Sequence, residues 1–221
     1  MPPTQLHCRD LRGGDIMLQL NTGHLLHRAI AFAQWAAGQH DSYVIHAGIM
    51  RGEAYMIESE KRGIWASDLR IQGKDYGYLV YRPRNPMLAT AAANMAKLMY
   101  DANLSRGSFK RDKAGDLQFS GGTLKYNLQG LPSALATPSA KPRTRDQMDD
   151  MADRIFTGMD HPFYCSQFVV MTYQFAAEQI GLPARLVFPL EDAKVSPATL
   201  SGQIGRNPLF EHVGTMAPGV R

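Results

Sequence analysis

Apolar positions recur along this chain with two periods, and each change of period marks an element boundary. Residues 13–20, GGDIMLQL, read as a short strand entered through glycines. Leu25, Leu26, Ile30, Ala33 and Ala37 then repeat at helical spacing, with Thr22 placed to cap that helix and Gly38 to stop it. Alternation returns in YVIHAGIM (43–50) and AYMIESE (54–60), which predict a hairpin turning around Arg51, Gly52 and Glu53. YGYLVYRP (76–83) predicts the next strand of an antiparallel meander. Asn85 then caps, and Pro86 opens, a helix through MLATAAANMAKLMYDANL.

Periodicity fails between residues 106 and 141, where GDLQFS and LKYNL read as short strands or parts of a loop excursion. Long loops of this kind often cover sites. Thr144 and Gln147 form a capping box for a helix reaching Gly158. The run HPFYCSQFVVMTYQFAAEQIGLP sets Cys165 at the head of a long helix closed by Gly181 and Pro183. The tail beyond it has mostly turn chemistry. The expected organisation is one α+β domain over residues 1–221 with an irregular insertion around 106–141.

Composition narrows this picture. At 221 residues and 44% hydrophobic, the chain can bury one substantial core. No apolar run approaches the roughly 20 residues of a membrane span. The first 15 residues, MPPTQLHCRDLRGGD, lack an apolar stretch, so no secretory signal peptide is expected and synthesis is placed in the cytoplasm. Net charge is +4, with basic stretches at RGSFKRDK (106–113) and KPRTR (141–145). Neither interleaves aromatics, so nucleic acid is not an expected partner. They read as solvated loops, or as attraction toward an acidic wall polymer or anionic lipid head groups. With only Cys8 and Cys165, a disulfide scaffold is not expected, and Cys8 reads as a bystander thiol in a loose N-terminal segment.

The candidate chemistry centres on Cys165. A thiol at a helix N-terminus faces unpaired N–H groups and the positive dipole end, and both favour thiolate, the nucleophilic form. His46 lies on a strand beside small Gly48, which leaves room for a helix end or substrate. Glu58, on the paired strand, can accept from the other imidazole nitrogen and fix the ring; Asp15 is the alternative orienter. Glu60 shares the alternation face of Glu58. Tyr164, Ser166 and His161 are placed to line a cleft around the thiol. Without other groups, Cys165 also reads as a buried core thiol and His46 as a satisfied half-buried histidine. His24, His27 and His40 lack the further ligand pattern of a zinc site, and GGTLK (121–125) lacks phosphate-loop spacing, so neither metal nor cofactor is expected.

Four short motifs in order, GD (14–15), HAGI (46–49), IES (57–59) and YCSQFV (164–169), resemble the permuted NlpC-type papain-like cysteine hydrolases, especially the YiiX-like group. In that superfamily the cysteine helix usually comes first; in the permuted group the histidine strand precedes it, as here. SPATL (196–200) looks like the family's proline-initiated tail, and the resemblance runs from residue 13 to 214. It implies a papain-like core in circularly permuted order, an antiparallel sheet packed against the helix that carries the nucleophile. It also implies Cys165 as nucleophile, His46 as base, Glu58 as orienter and the Cys165 backbone N–H in an oxyanion hole. The implied reaction is acyl transfer through a thioester, on one of two substrate classes. One is the amide bonds of peptidoglycan stem peptides, cut by an endopeptidase or amidase. The other is the acyl chains of lipids or acylated amines, as in lecithin:retinol-acyltransferase-like relatives. The amide reading is preferred because no amphipathic membrane anchor is evident and mild basicity suits a wall polymer. A wall hydrolase without a signal peptide suggests an antibacterial toxin delivered to a target-cell periplasm by type VI secretion, with an immunity protein or secretion component as partner. The non-enzymatic reading is a binding domain that keeps Cys165 and His46 for packing.

Overall fold

A computed structural model of the chain describes residues 4–60, 63–111, 117–120, 144–157 and 163–219. The elements run β1 (Ile16–Leu20), α1 (Leu25–Ala36), β2 (Val44–Gly52), β3 (Tyr55–Glu60), β4 (Gly63–Asp68), α2 (Leu69–Gln72), β5 (Tyr78–Pro83) and α3 (Pro86–Arg106). A small ribbon follows, β6 (Ser108–Arg111) with β7 (Leu117–Ser120), so part of GDLQFS is a strand. LKYNL and the rest of residues 121–141 lie outside the described residues. Then come α4 (Arg145–Thr157), α5 (Cys165–Gln179), α6 (Ala184–Val187), α7 (Pro197–Ile204) and β8 (Phe210–Met216).

Six strands form one antiparallel sheet in the order β4-β3-β2-β1-β5-β8. The architecture is therefore α+β. Side chains alternate between two cores. One face carries Ile16, Leu18, Ala47, Ile49 and Ile57 against α3 and α5. The other carries Met17, Met50, Met56, Tyr78 and Val80 with Leu6, Cys8 and Leu11. α5 is central: every residue from Cys165 to Gln174 is buried.

Several expected end signals are realised. Asn85 accepts from Met87 N (2.9 Å) ahead of Pro86, and Thr144 N donates to Gln147 Oε1 at 2.9 Å. Gly181 adopts φ +76° just beyond α5, where Leu182 N donates to Ala177 O. Thr22 does not cap α1: the helix starts after His24, and the Thr22 hydroxyl meets His27 Nδ1 instead. The β2–β3 turn sits at Glu53 and Ala54, both left-handed (φ 54° and 67°), as a two-residue hairpin loop requires. The tail holds a full edge strand, β8, where turn chemistry alone was expected. The N-terminal segment is not loose: Thr215 N donates to Thr4 O and Leu6 N to Thr215 O, pinning it along β8 and burying Cys8.

The GD motif is an anchor. Gly14 (φ +85°) lies so close to α3 that a Cβ would fall 2.3 Å from the Ala89 carbonyl oxygen. Asp15, fully buried, accepts from Arg82 Nε and Nη2 at 2.7 Å each and from Arg12 N at 2.8 Å. This bidentate pair ties β1 to β5 and occupies both carboxylate oxygens, so Asp15 does not orient His46. Removing one partner of a buried pair leaves an uncompensated charge. Asp15→Ala should lower stability by about 3 kcal/mol in urea unfolding. The alkylation rate of Cys165 should stay unchanged; a slowing like that of His46→Ala would return Asp15 to the site.

Candidate active site

Cys165 is set in place by the side chains around it. Tyr164 donates its hydroxyl to Asp192 O (3.1 Å) and accepts from Val195 N (3.2 Å). Ser166 Oγ donates to Val195 O, and Gln167 Nε2 to Asp192 Oδ2 at 3.0 Å. About two turns on, Gln174 Nε2 donates to Phe188 O and Leu190 O. The first turns of α5 are thus fastened to the segment 188–195 by polar bonds inside the core. Tyr164 and Ser166, expected to line a cleft, are committed to this fastening and leave the backbone N–H groups as donors at the helix tip. His161 lies outside the described residues.

The imidazole comes from the other side of the sheet. Gln19 pairs with His46 and Leu20 with Val44, so Ile45 is an extra residue that bends β2. Val44 consequently joins the helix-side core instead of sharing the face of His46. The β2–β3 ladder runs only from Gly52 back to Gly48, which pairs with Glu58. Beyond that pair, the backbone N–H groups of Ala47 and Ser166 favour the charged form of the Cys165 thiol. The thiol therefore enters the sheet where β2 and β3 part, and there it meets His46 from the opposite face. The room beside Gly48 is taken by Met56, whose Cγ and Sδ would lie 2.7 Å from a Cβ at Gly48, rather than by a helix end.

His46 Nε2 meets Glu58 Oε2 at 2.6 Å, which leaves Nδ1 for the hydrogen bond with Cys165. Glu58 is itself held: Ser67 Oγ donates to its Oε1, and Gln72 Nε2 reaches Oε1 at 3.5 Å and Ser67 Oγ at 2.9 Å. Ser67 and Gln72 were not singled out in the sequence. Their signal was the strand GIWASD, a short β-rich run closing the meander and passing into α2 through the Asp68 cap.

Charge follows from these contacts. Burial opposes ionisation of Cys165, but the His46 charge, its hydrogen bond and the two backbone donors outweigh it and bring the thiol below its ordinary value. Burial likewise disfavours the imidazolium, and Cys165 and Glu58 overcome it, raising His46 well above 6.5. Glu58, penalised by burial, is drawn below the usual carboxylate range by His46, Ser67 and Gln72. The directions agree on one arrangement, thiolate and carboxylate flanking an imidazolium. Such groups titrate as a set. The stability His46 contributes is complete below its unfolded pKa and is lost as pH rises through the folded one. That of Cys165 and Glu58 is present above their unfolded values and lost as pH falls through the folded ones.

Access is one-sided. Cys165 is 2% exposed, whereas the His46 side chain keeps 17% of its surface open. Both cysteines are buried and free, so no Cys8–Cys165 bridge forms. No group of three or more metal-ligating side chains occurs among the described residues. The site defines a class, an α+β protein with a thiol, imidazole and carboxylate in contact at a helix tip. No protein-family model matches the chain, and comparisons with curated proteins and with solved structures give no match.

Cys8 lies where burial raises its pKa. Near neutral pH, Cys165 should therefore alkylate faster than Cys8 in site-resolved iodoacetamide kinetics. Its pH profile should turn below the roughly 8.5 of a free thiol. His46→Ala should slow it about tenfold or more at pH 7. Glu58→Gln should move the turning point upward. Equal slow rates at both cysteines would sink the ion-pair account.

Proposed function

We propose that this protein is a thiol hydrolase of the permuted NlpC-like kind, cleaving amide bonds by acyl transfer. The observation that carries the reading is the unbroken contact chain from Cys165 through His46 to Glu58, Ser67 and Gln72. Cys165 attacks the carbonyl as thiolate. The Cys165 backbone N–H at the helix tip stabilises the oxyanion. The imidazolium of His46 gives its proton to the departing amine, leaving a thioester, and then takes one from the attacking water. Glu58 keeps the ring in one orientation throughout and opposes its positive charge. A binding domain would have no use for a buried thiol and imidazole each shifted toward its charged form by the other.

For the substrate we propose the peptide amides of peptidoglycan, with delivery to a target-cell periplasm as a type VI effector. A second reading, hydrolysis or transfer of lipid-borne or N-linked acyl chains, draws support from one observation. Phe32 and Trp35 on α1 are each 65% exposed, an apolar surface the sequence pattern did not reveal.

One paired assay separates the two. Purified protein is expected to release new amines from isolated peptidoglycan, with mass spectrometry locating the bond, and to leave phospholipids and acylated amines intact. Cys165→Ala should abolish the activity, and His46→Ala should lower kcat/KM about 10²- to 10⁴-fold. Turnover of lipid substrates without a wall product would transfer the assignment to the second reading. Full activity in Cys165→Ala would overturn both.

A further inference from the structure

All three strongly exposed aromatic side chains among the described residues, Phe32, Trp35 and Tyr43, lie on α1 or in the turn that follows it. The rings of Phe32 and Trp35 are in contact, with centroids 5.7 Å apart. Arg28, also exposed, stands one turn before Phe32 on the same helix face. The helix is gripped from its other side by fully buried Gln34. That amide donates to Val44 O (2.8 Å) and Ser42 O (3.2 Å) and accepts from Ala198 N (3.0 Å). The bare face is thus held in a fixed orientation. Charge on the helix itself is one-sided: α1 contains no Asp or Glu and holds Arg28, with Asp41 lying beyond it beside Tyr43.

We propose that this face docks the protein onto an anionic lipid bilayer. Phe32 and Trp35 enter the headgroup region, and Arg28 pairs with lipid phosphate. Length fits, because the 12 residues of α1 span about 18 Å, too short to cross a bilayer core of about 30 Å but suited to lying in its plane. Size argues against a second copy as the occupant. Two aromatic side chains offer about 300 Å² per chain, and a symmetric pair falls well short of the roughly 1,200 Å² of a stable interface. Charge argues the same way, since a symmetric second copy would set Arg28 against Arg28. The helix also stands next to the site: His27, in its first turn, lies within electrostatic reach of His46. Docking would therefore hold the open, imidazole side of the site near the lipid surface. The inference does not depend on which bond is cleaved.

The test uses full-length Cys165→Ser protein, so that its outcome is independent of catalysis. Flotation with phosphatidylcholine vesicles, with and without phosphatidylglycerol, should show binding at least about tenfold stronger to the anionic set. In a Trp65→Phe background, Trp35 emission should shift to the blue on binding. The double change Phe32→Ser with Trp35→Ser should weaken binding about tenfold or more while leaving the melting temperature intact, because both side chains face solvent. No binding to anionic vesicles, or binding that the double change leaves untouched, would overturn the proposal. So would a solution dimer that the double change dissolves, which would assign the face to a second copy.

Discussion

Three ionisable side chains meet at one buried point, and none of them would hold a charge there alone. Removing a carboxylate, a thiolate or an imidazolium from water costs several kcal/mol in a real protein interior. Burial acts against the charged form of each of Cys165, His46 and Glu58; His46 is nonetheless shifted toward it by both Cys165 and Glu58, and each of those by His46. The arrangement is therefore collective. Taking away any member strands the remaining charges, and they neutralise rather than persist. This is why Glu58 needs donors of its own. With Oε2 given to His46, Oε1 would be an unsatisfied buried acceptor without Ser67 and Gln72. Tyr78 adds to this constraint. Its fully buried hydroxyl has no partner, and burial and the nearby Glu58 both oppose its ionisation, so the carboxylate keeps its charge to itself.

Bringing such groups together requires two layers of the protein to meet. Cys165 belongs to the helix side, while His46 and Glu58 belong to the opposite face of the sheet. A continuous β2–β3 ladder would separate them. The extra residue Ile45 and the end of pairing at Gly48 open that ladder, and the Ala47 backbone N–H there favours the charged form of the thiol. The opening is tolerable because its polar groups find partners there. Rigidity comes from farther off. The 188–195 segment fixes the helix tip through Tyr164, Ser166 and Gln167, while Ser59 Oγ donates to Phe163 O and joins β3 to the approach to α5.

Much of this was legible in local chemistry. Helix boundaries followed Asn85, Thr144 and Gly181, because caps and stops depend on a few adjacent residues. Cys165, His46 and Glu58 stood out because reactive residue types sat at an element end and on paired strands. What escaped depended on pairing. β4 and β8 are edge strands with weak patterns of their own, and each is defined by the neighbour it bonds. The bulge at Ile45 is invisible to strict alternation, which would set Val44 on the face of His46. Asp15 read as an orienter because sequence gives no view of Arg82, 67 positions away. Ser67 and Gln72 escaped with β4, since their role exists only once that strand is laid beside Glu58.

The direction of approach follows from the same geometry. The sulfur is shut off on the helix side by the packed body of α5, and what opening there is lies beside the imidazole. On the hydrolase reading proposed above, a carbonyl reaching Cys165 would have to pass His46, on the side that keeps some surface open. That is the place from which a protonated ring can hand its proton to a departing amine, and from which it can later draw in water. The walls of this side come from connections rather than from the sheet. The first turn of α1 brings His27 near His46, with Tyr76 against His27, and both are built on segments that end the paired strands β1 and β5. On that reading, substrate choice would be carried by connecting segments that can vary without disturbing the buried charges, while the charges themselves depend on the paired strands.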